Sequence, residues 1–280
     1  MSAVSISEPR RHRRLPLSAW VGLTIAGLWA CVALLAPYAA PHDPGKILDQ
    51  GPFALSSSTA LLGTDYLGRD VLSRVIFGAR FTFGLALLAA LAASATGAAL
   101  GIAAAVGRRW FDGIMSRTAD GFISIPHLTF ALIMVAAFGS SLPVLLALLA
   151  TSYIPGAYRI ARASAINVNA TDFVQIARAR GEGTFYLVFR EILPNIVAPI
   201  VTDFGLRFIF AILLMSSLSF LGLGVQPPDA DWGALTRENI EGIYTASLSV
   251  IVPAAAIGTL TISINMAIDG FFAPAASEVV

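Results

Sequence analysis

Six apolar stretches separated by shorter polar ones organise this chain. They run approximately over Leu17–Tyr38, Ala79–Val106, Gly121–Phe138, Leu142–Ile160, Ala198–Leu221 and Ala246–Phe271. A helix needs roughly 20 mostly apolar residues to cross the hydrocarbon of a bilayer. The pattern therefore predicts an all-α polytopic membrane protein with six transmembrane helices. The connections hold too little sequence for a separate soluble domain. The chain divides into a tail over 1–16, a first span with its outer segment over 17–78, a core over 79–272 and a second tail over 273–280. Within the core, 161–197 is a charged interruption between the fourth and fifth spans.

Composition agrees with the pattern. Of 280 residues, 56% are hydrophobic and 12% charged, and the mean hydropathy is +0.77. A soluble domain carries about 25% charged residues. The cations then orient the spans. Arg10, Arg11, Arg13 and Arg14 precede the first span, Arg108, Arg109 and Arg117 follow the second, and Arg159, Arg162, Arg178, Arg180 and Arg190 follow the fourth. These segments share one side, which the positive-inside rule makes cytoplasmic. Lys46, Arg69, Arg74 and Arg80 after the first span weaken that signal slightly. Both termini are expected inside. Arg10–Arg14 resembles the start of a signal peptide, but the run after it exceeds the roughly 7–15 residues of a signal core, so an uncleaved anchor is favoured.

Several chemistries are excluded or disfavoured. The net charge is +1, and the arginines form no stripe that could track nucleic acid. Cys31 is the single cysteine, and His12, His42 and His127 are scattered, so no metal site is expected. A phosphate-binding loop needs a Gly-rich turn followed by Lys and then Ser or Thr. The one lysine, Lys46, follows Gly45 but precedes Ile47. No Gly-x-Ser-x-Gly elbow or His-Glu-x-x-His helix is present. The chain is not expected to be an enzyme or to hold a cofactor of its own.

Ionisable groups within the apolar stretches are few. Asp203 and Arg207 stand four apart on the fifth span and either neutralise each other or line an aqueous path. Asn265, one turn before Asp269 on the sixth, suits an interhelical hydrogen bond better than a ligand. That is a poor set for a proton or sodium relay, though an ion-coupled carrier stays open as the competing class. Gly97-x-x-x-Gly101 gives the second span a small-residue face for close helix packing, within this subunit or against a partner. Gly222–Trp232 reads as a rigid non-helical loop, with Trp232 suited to the headgroup level. Asp65, Arg69 and Asp70 before the second span suggest local pairing.

Between the fourth and fifth spans lies Asp172-Phe173-Val174-Gln175-Ile176-Ala177-Arg178-Ala179-Arg180-Gly181, continuing to Ile192-Leu193-Pro194-Asn195. Phe173, Ile176, Ala177 and Arg180 recur at helical spacing, and Gly181 suits a left-handed helix end. A second short helix is expected from Thr184 as its N-cap. A helix–Gly–helix hairpin of this kind needs another protein to cover its apolar side.

This segment resembles the Glu-Ala-Ala loop of ABC-importer permeases. Ala177, Gly181 and Pro194 match that pattern, while Gln175 and Ile176 replace its Glu and first Ala. Leu62–Arg74, Ser219–Pro228 and Trp232-Gly233 resemble the second permease of the dipeptide, oligopeptide and nickel branch. The resemblance covers about Arg14 to Phe272. It implies a type I ABC-importer permease fold in the bacterial inner membrane. It also implies a homologous second permease, two ATP-binding subunits that hold the ATP and magnesium, and a periplasmic solute-binding protein as partners, with lipid around the spans. By the same resemblance Thr171, Asp172, Phe173, Gln175, Ile176, Ala177, Gly181 and Pro194 form the ATPase-coupling loop. Di- and oligopeptides are the expected cargo, with nickel, glutathione or an opine- or sugar-like solute as alternatives.

Overall fold

Asp70 opens a helix of 36 residues. Its carboxylate accepts from the Ser73 backbone N–H at 3.0 Å and the Ser73 hydroxyl at 2.5 Å, an N-cap that satisfies donors the first turn leaves free. The helix therefore starts well before the apolar run at Ala79. In the computed structural model, which describes residues 16–245 and 247–272, α1 spans Leu17–Ala39 and α2 spans Val71–Val106. At 1.5 Å per residue the 36 residues of α2 outreach the hydrocarbon layer, so one end stands in water. The division expected between 78 and 79 falls inside this helix. The two tails lie outside the described residues, apart from Pro16.

The third apolar stretch departs from expectation. In place of one straight span, α3 (Arg109–Ile123) and α4 (His127–Phe138) meet at 89°. Pro126 lacks an N–H and disfavours helical backbone at the residue before it, and the Ser124 hydroxyl donates to the Gly121 carbonyl at the break. Among the described residues, five helices are long and apolar enough to cross a membrane, and six if the bent pair is one span.

Gly139, at φ +80°, then turns the chain into α5 (Leu142–Asn169). The hairpin helix α6 (Asp172–Ala179) follows, and a helical turn α7 (Thr184–Tyr186) passes through a π-turn at Leu187–Ile192 into α8 (Leu193–Phe220). The short second helix expected after Gly181 is thus the start of the fifth span, and Gly183 rather than Thr184 sits at its cap. A short α9 (Trp232–Glu238) and a 3₁₀ turn (Ile240–Thr245) precede α10 (Leu248–Phe272).

The core forms where α2, α5 and α8 meet. Ala86, Ala89, Ala90 and Ala93 of α2 are fully buried in one cluster with Leu145, Leu148 and Leu149 of α5 and Ile212, Met215 and Leu218 of α8. The Gly97/Gly101 face packs within the subunit. A Cβ on Gly97 would stand 2.6 Å from the Ala157 Cβ and 2.7 Å from the Tyr158 nitrogen, and one on Gly101 2.7 Å from the Arg162 nitrogen. Those contacts are to backbone nitrogens and an alanine Cβ, none of which can rotate away. Gly97→Val is expected to destabilise the subunit by about 1–3 kcal/mol, while Gly84→Val, which meets nothing within 4 Å, is expected to be neutral. Thermal loss of the folded subunit in detergent compares the two; equal melting would place the helices further apart than described.

Trp232 corrects another expectation. It is fully buried, donates from its indole to the Val75 carbonyl at 2.9 Å and stands edge-on to Trp29 at 4.7 Å. The Gly222–Trp232 loop hence fastens α9 against α1 and α2, and the indole has no access to headgroups.

Candidate functional site

The hairpin between α5 and α8 is built on a glycine turn. Gly181 has φ +83°, a conformation in which a side chain is strained. Its N–H bonds the Arg178 carbonyl at 3.0 Å and the Glu182 N–H the Ala177 carbonyl at 3.2 Å, the paired bonds of a Schellman motif. Asp172 in the first turn and Arg178 in the last complement the helix dipole. The Thr171 hydroxyl donates to Val168 O at 2.6 Å and so leaves the cap unmade. Gln175 donates to the Asn169 carbonyl at 2.8 Å, and Arg178 to the Asn169 side chain at 2.9 Å. Gln175 therefore has an internal structural role.

The expected apolar stripe splits in two. Ala177 turns inward with Val174 to pack on Leu187 and Val168. Phe173 and Ile176 face outward, 43% and 59% exposed, joined by Phe185 and Phe189, whose rings lie 4.4 Å apart. A small core thus holds the hairpin's shape while aromatic and aliphatic groups stand open. Pro194 sits in the first turn of α8, where a missing N–H is tolerated. Val174 was missed by the sequence pattern because only the fold shows which side of so short a helix meets Leu187.

Asp203 and Arg207 form a two-point ion pair on α8, with Nε to Oδ2 at 3.2 Å and Nη2 to Oδ1 at 2.8 Å. Both side chains are largely buried. The guanidinium lies over Gly156 of α5, where a Cβ would stand 2.6 Å from Nη1. Beside it, the His127 ring at the start of α4 meets Tyr153 at 5.0 Å, and the Tyr153 hydroxyl donates to the Phe210 carbonyl at 2.8 Å. The pair thus sits where α4, α5 and α8 converge. Asn265 behaves otherwise. It bonds Asp269 on its own helix at 3.2 Å, in place of the expected interhelical bond, because its exposed position leaves the i+4 carboxylate as its near partner.

On the opposite face from the hairpin, charges close on one another. Asp65 accepts from Arg69 and Arg74, each at 2.7 Å, and Arg74 reaches Glu238 at 2.9 Å. The Tyr66 N–H donates to the Asn239 side chain at 3.0 Å. These bonds tie the segment before α2 to α9. Asp231 caps α9 at the Ala234 N–H and accepts from the Ser219 hydroxyl at 2.5 Å; burial pushes its carboxyl up to about 6. Among the described residues, no cluster of three or more His, Cys, Asp or Glu could hold a metal.

Comparison with known proteins adds to this geometry. The profile of a family described as "binding-protein-dependent transport system inner membrane component" matches residues 97–273. A putative peptide transport system permease protein of Brucella abortus biovar 1 is 35% identical over 260 residues, covering 93% of this chain and 86% of the relative. A dipeptide transport system permease protein of Haemophilus influenzae is 31% identical, covering 90% and 88%. A glutathione transport system permease protein of Escherichia coli is 32% identical, covering 93% and 86%.

Proposed function

The chain belongs to the family of binding-protein-dependent transport system inner membrane components, and from that premise we propose that it forms part of the path by which di- and oligopeptides enter the cell. It is a multi-pass inner-membrane permease subunit of an ABC importer. The observation that carries the mechanism is the hairpin's exposed Phe173, Ile176 and Phe185, held on a rigid glycine turn between two spans. Such a surface suits docking of an ATP-binding subunit. Closure of two such motors around ATP and magnesium would push α6 and with it the joined ends of α5 and α8. This chain, whose sequence has no phosphate-binding loop, would supply part of the path and its movement, and the motors the ATP hydrolysis.

A homologous second permease would complete the path, and a periplasmic solute-binding protein would deliver cargo to the face latched by Asp65, Arg74 and Glu238. Asp203 and Arg207 neutralise each other, which supports weak solute contact in the path and selection in the binding protein. The ion-coupled reading loses its best candidates to the same pairing. The test is uptake of labelled di- and tripeptides by cells with and without this gene. Peptide entry is expected to stop without it. Unaffected peptide entry, with loss of nickel, glutathione or opine uptake, would keep the importer class and replace the cargo.

The cytoplasmic placement of the hairpin and termini rests on the arginine distribution. In a Cys31→Ser background, cysteines placed at Ser57 and Asp229 are expected to react with an impermeant thiol reagent from outside, and those at Ser7 and Gly183 to stay unlabelled. The reverse pattern would invert the topology.

A further inference from the structure

His127 carries an imidazole at a depth where hydrocarbon is expected. It opens α4, which ends at Phe138, and its ring stands 5.0 Å from that of Tyr153 on α5, which begins at Leu142. At 1.5 Å per residue both helices place the ring about 17 Å from the turn that joins them. A hydrocarbon layer is about 30 Å thick, so His127 lies close to its middle. The residue is exposed on the subunit, and neither ring nitrogen has a hydrogen-bond partner among the described residues.

An ionisable side chain at that depth faces protein or a water-filled cavity, not lipid. The backbone beside it obeys the same rule. Ser124, Ile125 and Pro126 leave the helix at the 89° break and are exposed, and non-helical backbone within a membrane needs water or protein to satisfy it. A cleft of about 430 Å³ also reaches this joint. It runs from Thr236 of α9 past Phe220, Ser217 and Leu213 of α8 to Leu128, with Leu128 on the α8 side of the joint and His127 on the α5 side. The walls of the cleft hold little for a solute to grip. The Ser217 and Thr236 hydroxyls donate to carbonyls of their own helices at 2.7 and 2.8 Å, and the Ser216 hydroxyl is buried. Tyr153 is committed to the Phe210 carbonyl. The His127 nitrogens are left to water or to solute.

We propose that His127 is the point near the middle of the path where this subunit holds the solute by its peptide groups. The inference rests on the reading of the chain as part of a peptide path. A neutral imidazole offers one N–H donor and one acceptor nitrogen, the complement of the C=O and N–H of a peptide group. Every di- and oligopeptide carries such groups whatever its side chains, so the contact is common to the class. A single contact of this kind also lets the solute go. Tyr153, fixed by its own hydrogen bond, supports the ring from the α5 side.

The test uses the assembled importer with Cys31→Ser, supplied with binding protein and ATP but no solute. A water-soluble thiosulfonate reagent is expected to modify His127→Cys much faster than Leu28→Cys, a position 62% exposed within α1. Ser124→Cys, at the same joint, is expected to react like His127→Cys and replaces it if that variant does not assemble. His127→Phe, which keeps a ring against Tyr153, is expected to lower peptide uptake per ATP hydrolysed about tenfold, the effect of one lost hydrogen bond. His127→Gln, which keeps a donor and an acceptor, is expected to retain most of it. A packing role predicts the opposite order of the two variants, and that order would overturn the proposal. So would thiols at 127 and 124 that react no faster than the one at 28, or a photo-crosslinker at 127 that captures the second permease. Peptide uptake by the parent importer is measured alongside. Its absence would count against the cargo, whereas the thiol reactivities are read without any solute.

Discussion

Asp203→Ala is expected to destabilise the subunit by about 3–5 kcal/mol, because it leaves the Arg207 guanidinium buried without a counter-charge. The guanidinium has little freedom to escape. It is pressed against Gly156 of α5, 15% exposed, and flanked by the His127–Tyr153 ring pair. Recovery of assembled importer after detergent extraction over a range of temperatures measures the loss. Removing both partners separates structure from path chemistry. If the pair only satisfies itself between helices, Asp203→Ala/Arg207→Ala is expected to regain most of the lost assembly and much of the transport. The ratio of uptake between different peptides is expected to stay unchanged in every variant that assembles. A double variant that assembles normally yet does not transport, or that changes cargo preference, would put the pair in contact with solute.

Ile176→Glu is expected to abolish transport while the subunit still inserts and folds. The side chain is exposed in the isolated subunit, so the charge costs the fold little. Under a docked motor it would be buried and unpaired, which weakens association by about 3 kcal/mol, on the order of a hundredfold. Gly181→Val is expected to act more mildly. A Cβ there meets nothing within 4 Å, so its effect is backbone strain of about 1–2 kcal/mol at φ +83°. Co-purification of the ATP-binding subunits with each variant is the direct measurement, with substrate-stimulated ATP hydrolysis as its counterpart. Full co-purification and transport with Ile176→Glu would remove this surface from the motor contact.

The chain by itself determined what depends on neighbours in sequence. Runs of about 20 apolar residues are long enough to force helices across hydrocarbon, where every backbone group must bond internally. Gly181 announced a left-handed turn and Asp65, Arg69 and Asp70 announced local charge pairing, because those effects act within a few residues. Pro126 also stood in plain view, yet its 89° consequence depended on what α5 offered to each half of the broken span: ion pairs and the Tyr158 hydroxyl beside α3, and Leu145, Leu148 and Leu149 in one core with Ala131 and Val135 of α4.

What the tertiary structure decided was which surface meets which. Gly97-x-x-x-Gly101 promised a close approach without naming the partner, and Ala157, Tyr158 and Arg162 of α5 supplied it. Trp232 has an amphipathic ring that suits a membrane interface, but a fully buried site with a carbonyl for its N–H satisfies both parts of the ring. Arg74 found Glu238, 164 positions away, and Asn265 found its own helix. The same side chains fit several partners by chemistry alone. The choice falls to whichever pairing the packed helices bring into contact, and local pattern carries no information about that distance.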